Sequence, residues 1–267
     1  MNALQEIQPA RAQRRWSLLA LAILMSACST APPVSERPAV GVSASAMAPQ
    51  ARSTLGTQWG EGRESRTYTV QARRIEPQRD MQQLRYSDEG SIRQALGGGL
   101  DAQRSILLDQ GNVEWSVQDA RGAPLTIYST PGQTNYQLAG RAGERYALVY
   151  TNLSNTPYEI VATVDGLDVL SGRPGSRGNN GYMLRPGAVL RIEGFRKSSD
   201  EVAAFRFSTK DRAYAANSLA GDSRNIGVIG VVLYEVRTAQ PNPPASGAPN
   251  PFPADADSGA YAAPPRY

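Results

Sequence analysis

Asp165, Asp168, Glu193, Asp200 and Glu201 lie near turn signals in this 267-residue chain and have the side chains for acid–base work. Two carboxylates at the right separation are enough for glycoside hydrolysis. Turn chemistry gives a plainer reading, in which Asp165-Gly166 is a hairpin turn and the others are solvated strand ends. Asp165 and Asp168 match neither the spacing nor the ligand number of a calcium loop. The chain has no histidine, which removes the usual general base near neutral pH and the commonest metal ligand. Ser-His-Asp and Cys-His hydrolysis are excluded with it. A serine–lysine route fails as well, because Gly194 and Phe207 stand three residues before Lys197 and Lys210. Zinc sites draw on Cys and His, and the one cysteine is Cys28. These exclusions predict no catalytic residue, no cofactor and no metal site, hence a protein that is not an enzyme.

A second grouping is suited to binding. Between Ser171 and Gly187 the glycines Gly172, Gly175, Gly178 and Gly181 alternate with Arg173, Arg177 and Arg185, and Tyr182 lies among them. Glycine exposes backbone N–H groups, and arginine presents a planar donor fork to carboxylate or phosphate. Arg173, Arg177, Tyr182 and Arg185 are therefore the candidate anion or partner loop. The same arginines also suit a plain exposed connection.

At the N-terminus a basic stretch (Arg11, Arg14, Arg15) leads into the apolar run Leu18–Met25 and then Ser26-Ala27-Cys28. That order is the pattern of an export signal, and the run falls short of the ~20 apolar residues a spanning helix needs. Met25-Ser26-Ala27-Cys28 resembles the bacterial lipoprotein signal box, with Met25 where leucine is usual. The resemblance implies cleavage before Cys28 and acylation of its sulfur and new amine. Several acyl chains on one residue hold a protein firmly at a membrane. The alternative is a secreted protein cut near Ala27 with Cys28 as a free thiol, a liability in an oxidising compartment. Ser29 after the cysteine resembles the outer-membrane sorting pattern, so the expected location is the outer membrane, facing the periplasm. Removing residues 1–27 leaves 25 basic and 23 acidic residues. So small an excess gives no reason to expect nucleic-acid binding.

The elements that must position these residues lie between two low-complexity ends. Residues 28–58 are rich in Ala, Ser and Pro and read as a lipid anchor with a disordered tether, about 30 Å long as a coil. Residues 239–267 carry Pro241, Pro243, Pro244, Pro249, Pro251, Pro253, Pro264 and Pro265 and read as a disordered tail. The span 59–238 is of ordinary size for one domain. Tyr146, Leu148 and Tyr150 alternate with Ala147, Val149 and Thr151, and similar alternation at Leu190–Glu193 and Val202–Phe207 predicts half-wet strands. The run Ile226–Tyr234 is apolar on both faces and predicts a central strand. Turn signals recur at Asp119–Gly122, Arg141–Gly143, Asn152–Pro157, Asp165-Gly166, Arg185–Gly187 and Lys197–Asp200. The predicted fold is all-β, an antiparallel sandwich or jelly-roll-like arrangement with one or two short helices. Asp88–Leu96 is one helix, ended by Gly97, and Asp211–Leu219 a second.

Val164–Gly172, Gly181-Tyr182, Ile192–Ser198, Glu201–Phe207 and Asn225–Val231 together resemble a group of bacterial envelope proteins sharing a β-rich domain. The resemblance implies domain limits over roughly 125–236 and no activity. The expected function is a non-enzymatic envelope lipoprotein presenting its β-sandwich to a protein or polymer partner. The alternative is a peptidoglycan- or carbohydrate-binding, or carbohydrate-active, module using the arginine- and glycine-rich loop.

Overall fold

The computed structural model describes residues 50–238. The expected leader, Cys28, most of the expected tether, and the expected tail lie outside the described residues. In chain order the first strands are β1 (Leu55–Glu64), β2 (Ala72–Ser87), β3 (Asp101–Gln103), β4 (Ile106–Leu108), β5 (Val113–Asp119), β6 (Ile127–Ser129) and β7 (Gln137–Ala139). They are followed by β8 (Tyr146–Asn152), β9 (Tyr158–Val164), β10 (Leu167–Asp168), β11 (Tyr182–Leu184), β12 (Val189–Ile192), β13 (Gly194–Arg196), β14 (Glu201–Thr209) and β15 (Val228–Thr238). One helix, α1 (Glu89–Leu96), joins β2 to β3.

The strands form a sandwich-like set of open sheets. The largest runs β10-β9-β15-β2-β7-β6-β3, with β11 also on β9. A second runs β12-β8-β5-β4 and a third β1-β14-β13. The pairing is antiparallel except for β2 with β7, which run parallel from Arg85↔Gln137 to Ser87↔Ala139. This differs from a purely antiparallel sheet. Residues 88–136 carry the chain around and bring it back in the same direction, which no local turn signal could announce.

Aromatic residues are the largest fully buried side chains of a core otherwise built mainly from Leu, Ile and Val. Trp115, Tyr86, Tyr150, Tyr158, Phe195, Phe205 and Phe207 are fully buried. The Tyr146 ring stacks on Phe207 at 4.3 Å and on Phe205 at 5.3 Å. Such pairs add roughly 0.5–1.5 kcal/mol each beyond the area they bury.

Other sequence readings can be set against the structure residue by residue. Asp88 caps α1 by accepting from the Ser91 backbone N–H at 2.9 Å, Ile92 and Leu96 are buried, and Gly97 follows at φ 75°. β15 lies between β2 and β9, so the two-faced apolar run is indeed central. Tyr146–Asn152 is not half-wet: Ala147 and Val149 are buried too. Ala147 shares a small recess with Arg63, Arg145 and Arg191, whose long stems cover apolar surface. Asp211–Leu219 forms short 3-10 turns at Lys210–Arg212 and Ala215–Asn217 instead of a helix. The ordered chain starts before Trp59. Ala51 N–H donates to Gln137 Oε1 (2.8 Å), Ser53 Oγ donates to the Tyr86 carbonyl (2.6 Å), and Leu55 pairs with Thr209. Those anchors come from partners 33 to 154 residues away, which local composition cannot reveal. Among the described residues no helix is long and apolar enough to cross a membrane.

Candidate functional site

The residues from Ser171 to Gly187 divide into two groups in space. The first part, through Gly181, is seated on the outside of the large sheet. Arg74 reaches from β2 across the Tyr234 ring, 4.4 Å from its centroid, and forks onto Glu159 of β9 at 2.7 and 2.8 Å. The same guanidinium donates to the carbonyls of Arg177 (3.2 Å) and Asn179, and Tyr234 Oη donates to the Arg177 carbonyl at 3.1 Å. The glycines allow this close seating. A Cβ on Gly175 would stand 2.5 Å from Thr163 Cγ2, and one on Gly181 would stand 2.3 Å from the Ile160 carbonyl oxygen.

Their N–H groups are also committed internally. Gly172 donates to the Asp168 carbonyl, Gly175 to the Gly166 carbonyl, Gly178 to Ser176 Oγ and Gly181 to Glu159 Oε1. The glycine spacing thus serves packing against β9 and leaves no open nest of N–H groups. Arg173 and Arg177 are exposed.

Tyr182 and Arg185 belong elsewhere. With Arg66, Tyr68, Arg191 and Arg196 they line a cleft of about 240 Å³ between the β1–β2 connection and the β11–β12 segment. Met183, Leu184, Ala188, Val189 and Leu190 contribute its apolar surface, and among the described residues its lining contains no carboxylate. Arg196, from β13, ties the two walls together. It donates through Nε and Nη2 to Tyr182 Oη (3.2 and 3.1 Å), through Nη2 to Ser65 Oγ (3.2 Å), and through Nη1 to the Ser65 carbonyl. Burial raises the Tyr182 phenol above its ordinary range, with Arg196 pulling it back. Tyr182 therefore keeps its proton at neutral pH while accepting from Arg196.

Arg185 Nη2 reaches Tyr68 Oη at 3.3 Å, and Tyr68 is 75% exposed. Arg66 pairs with Glu64 at 2.9 Å, both well exposed, a pairing worth little in water. Arg191 donates to Gln118 Oε1 at 2.8 Å. Arg66 and Arg185 thus hold only exposed partners and have donors to offer, whereas Arg196 is a structural tie. The cleft collects its residues from the β1–β2 connection and, more than a hundred positions later, from β11–β12 and β13. Sequence reading singles out Tyr182 and Arg185 but not Arg66, Tyr68, Arg191 and Arg196, for which no spacing signal exists.

Among the described residues the five candidate carboxylates are not gathered into one cleft. Asp165 does occupy a turn, at φ 53°, yet its side chain is 1% exposed and not solvated. It accepts from Tyr86 Oη (2.6 Å), the Thr57 N–H (2.8 Å) and the Gly227 N–H (2.8 Å). Desolvation by burial raises it to about 6, with those hydrogen bonds opposing the rise. Asp168 is buried as well and caps Ser171, accepting from its N–H at 2.7 Å and its Oγ at 2.6 Å. Asp165 thus occupies the expected turn with its side chain buried, whereas Asp168 departs from the solvated strand end expected of it. Glu201 pairs with Lys197 at 2.7 Å, Glu193 lies near Arg63 and Arg191, and Asp200 is exposed. Among the described residues no group of three His, Cys, Asp or Glu side chains is placed to hold a metal ion. No family model, curated protein or solved structure matches the chain.

Proposed function

We propose that the protein is a non-enzymatic lipoprotein of the bacterial outer membrane, anchored through acylated Cys28, whose β-rich domain receives an anionic envelope polymer in the arginine- and tyrosine-lined cleft. The observation that carries this reading is the lining itself: Arg66, Arg185, Arg191 and Arg196 beside Tyr68 and Tyr182, with no carboxylate among them. Arginine forks carboxylate and phosphate groups, and tyrosine adds a flat apolar face with a polar tip. A polymer that repeats its acidic groups suits a groove with several cations better than a single small anion does. Support for the anchor comes from the residues around Cys28, and support for a non-catalytic role from the missing histidine and the ion-paired or buried carboxylates.

Sedimentation with purified peptidoglycan, at low and high salt, tests the site. Retention is expected at low salt and release at high salt, as for any screened charge contact. The Arg66→Ala, Arg185→Ala double variant is expected to lose at least ~10-fold in affinity, the equivalent of about one charge-assisted hydrogen bond. Arg196 is left intact because it holds Ser65 and Tyr182 in place. Retention indifferent to both salt and the two substitutions overturns the reading.

A further inference from the structure

We propose that the chain supplies its own competitor for the cleft: the segment Asn250-Pro251-Phe252-Pro253-Ala254-Asp255-Ala256-Asp257 docks between Tyr68 and Tyr182 and sets its two carboxylates against Arg66 and Arg185. The inference rests on reading the cleft as an anion site and concerns how that site is regulated. Four observations lead to it.

The first is where the described chain leaves the sheet. Thr238, the end of β15, pairs with Ala72, and Val70, two residues before Ala72, lines the cleft. Because β15 and β2 run antiparallel, residues after Thr238 depart from the same end of the sheet by which the cleft wall at 65–71 enters it. The second is reach. Asn250 lies twelve positions beyond Thr238; a polyproline II chain of that length extends roughly 37 Å. Ala72 and Tyr68 are at most about 14 Å apart along the backbone.

The third is charge. Asp255 and Asp257 are the only acidic residues in 239–267, and the cleft's lining among the described residues is cationic without a carboxylate. Alternate residues of an extended chain face the same way, so both carboxylates can meet one wall. The fourth is shape. Proline-flanked segments hold an extended conformation at little entropic cost and dock into tyrosine-lined grooves. Phe252 between Pro251 and Pro253 has an apolar seat beside Val189, which is 63% exposed. A short tether presents the segment at millimolar effective concentration, so a weak contact in trans suffices for occupancy in cis.

The test uses the full mature chain in three forms: wild type, Asp255→Asn with Asp257→Asn, and Phe252→Ala, which leaves the net charge unchanged. Backbone amide spectra are compared at Tyr68, Arg185 and Val189, and binding to purified peptidoglycan is measured at low salt. Both variants are expected to shift those three amides and to bind peptidoglycan several-fold more tightly than the wild type. In the Arg66→Ala, Arg185→Ala background the same substitutions are expected to change neither. Amides that stay in place in both variants overturn the proposal, even if peptidoglycan binding still depends on Arg66 and Arg185. Peptidoglycan binding that ignores Arg66 and Arg185, with the amides shifting as expected, sinks the polymer reading and leaves the docked segment standing.

Discussion

A single carboxylate shows how far a residue's role can depart from its local signature. Asp165 sits at a turn, as Asp-Gly pairs do, yet its two oxygens join three elements: Thr57 in β1, Tyr86 in β2 and Gly227 just ahead of β15. Held at about 6 by burial, it binds its proton more tightly folded than unfolded, where an aspartate titrates near 3.9. Its contribution to stability is therefore complete below about pH 4 and is lost as pH rises through about 6. Two units correspond to ~3 kcal/mol. Urea denaturation from pH 4 to 7 is expected to show that decline, and Asp165→Asn to lack it while being less stable throughout, because its amide sets an N–H₂ against a backbone N–H. Two tyrosines provide a contrast. Tyr86→Phe removes the donor to Asp165 and is expected to cost about 1.5–3 kcal/mol. Tyr150 has a buried hydroxyl without a partner among the described residues, and burial raises its phenol. Tyr150→Phe is expected to gain about 1 kcal/mol in the same denaturation assay.

At the scale of elements, the Arg74–Glu159 clamp does for residues 171–181 what neighbouring strands do elsewhere. Glu159 accepts from Arg74 and from the Gly181 N–H, so one side chain fastens both the clamp and the start of β11. Glu159→Gln is expected to weaken both, with faster hydrogen exchange at Gly178 and Gly181 and unchanged exchange in β5 and β8. Equal acceleration everywhere argues against a local role. Gly181→Ala places its Cβ against a backbone carbonyl and is expected to cost about 1–3 kcal/mol, read from the denaturation midpoint. The elements most legible in the sequence were those with local causes. Asp88 and Gly97 bracket α1, and the apolar run at β15 needs no partner to be recognised. The start of β1, the parallel pairing of β2 with β7 and the burial of Ala147 depend on distant segments, and local periodicity is silent about them.

For the whole molecule, the site follows the same rule. Tyr182 and Arg185 could be singled out because they stand in an irregular, arginine-rich stretch. Arg66 and Tyr68 come from a polar connection with no distinguishing pattern, and Arg191 and Arg196 are ordinary outward residues of strands until the fold brings them to one cleft. The proposed membrane attachment does not depend on the cleft and has its own test. Intact-mass measurement of the mature protein is expected to find acyl chains on Cys28, and Cys28→Ser to release the protein from the membrane fraction. A free thiol, or membrane retention of the Ser variant, defeats the anchor.

The position of β15 has a consequence for synthesis. The last of the described strands pairs with β2 on one side and β9 on the other, so the largest sheet has a gap in its middle until residues 228–238 have emerged. A nascent or truncated chain ending before Val228 exposes two facing rows of unpaired backbone groups, and such rows are templates for association with other chains. Termination shortly before Val228 is therefore more damaging than the few residues of β15 it removes suggest: it yields aggregation-prone fragments.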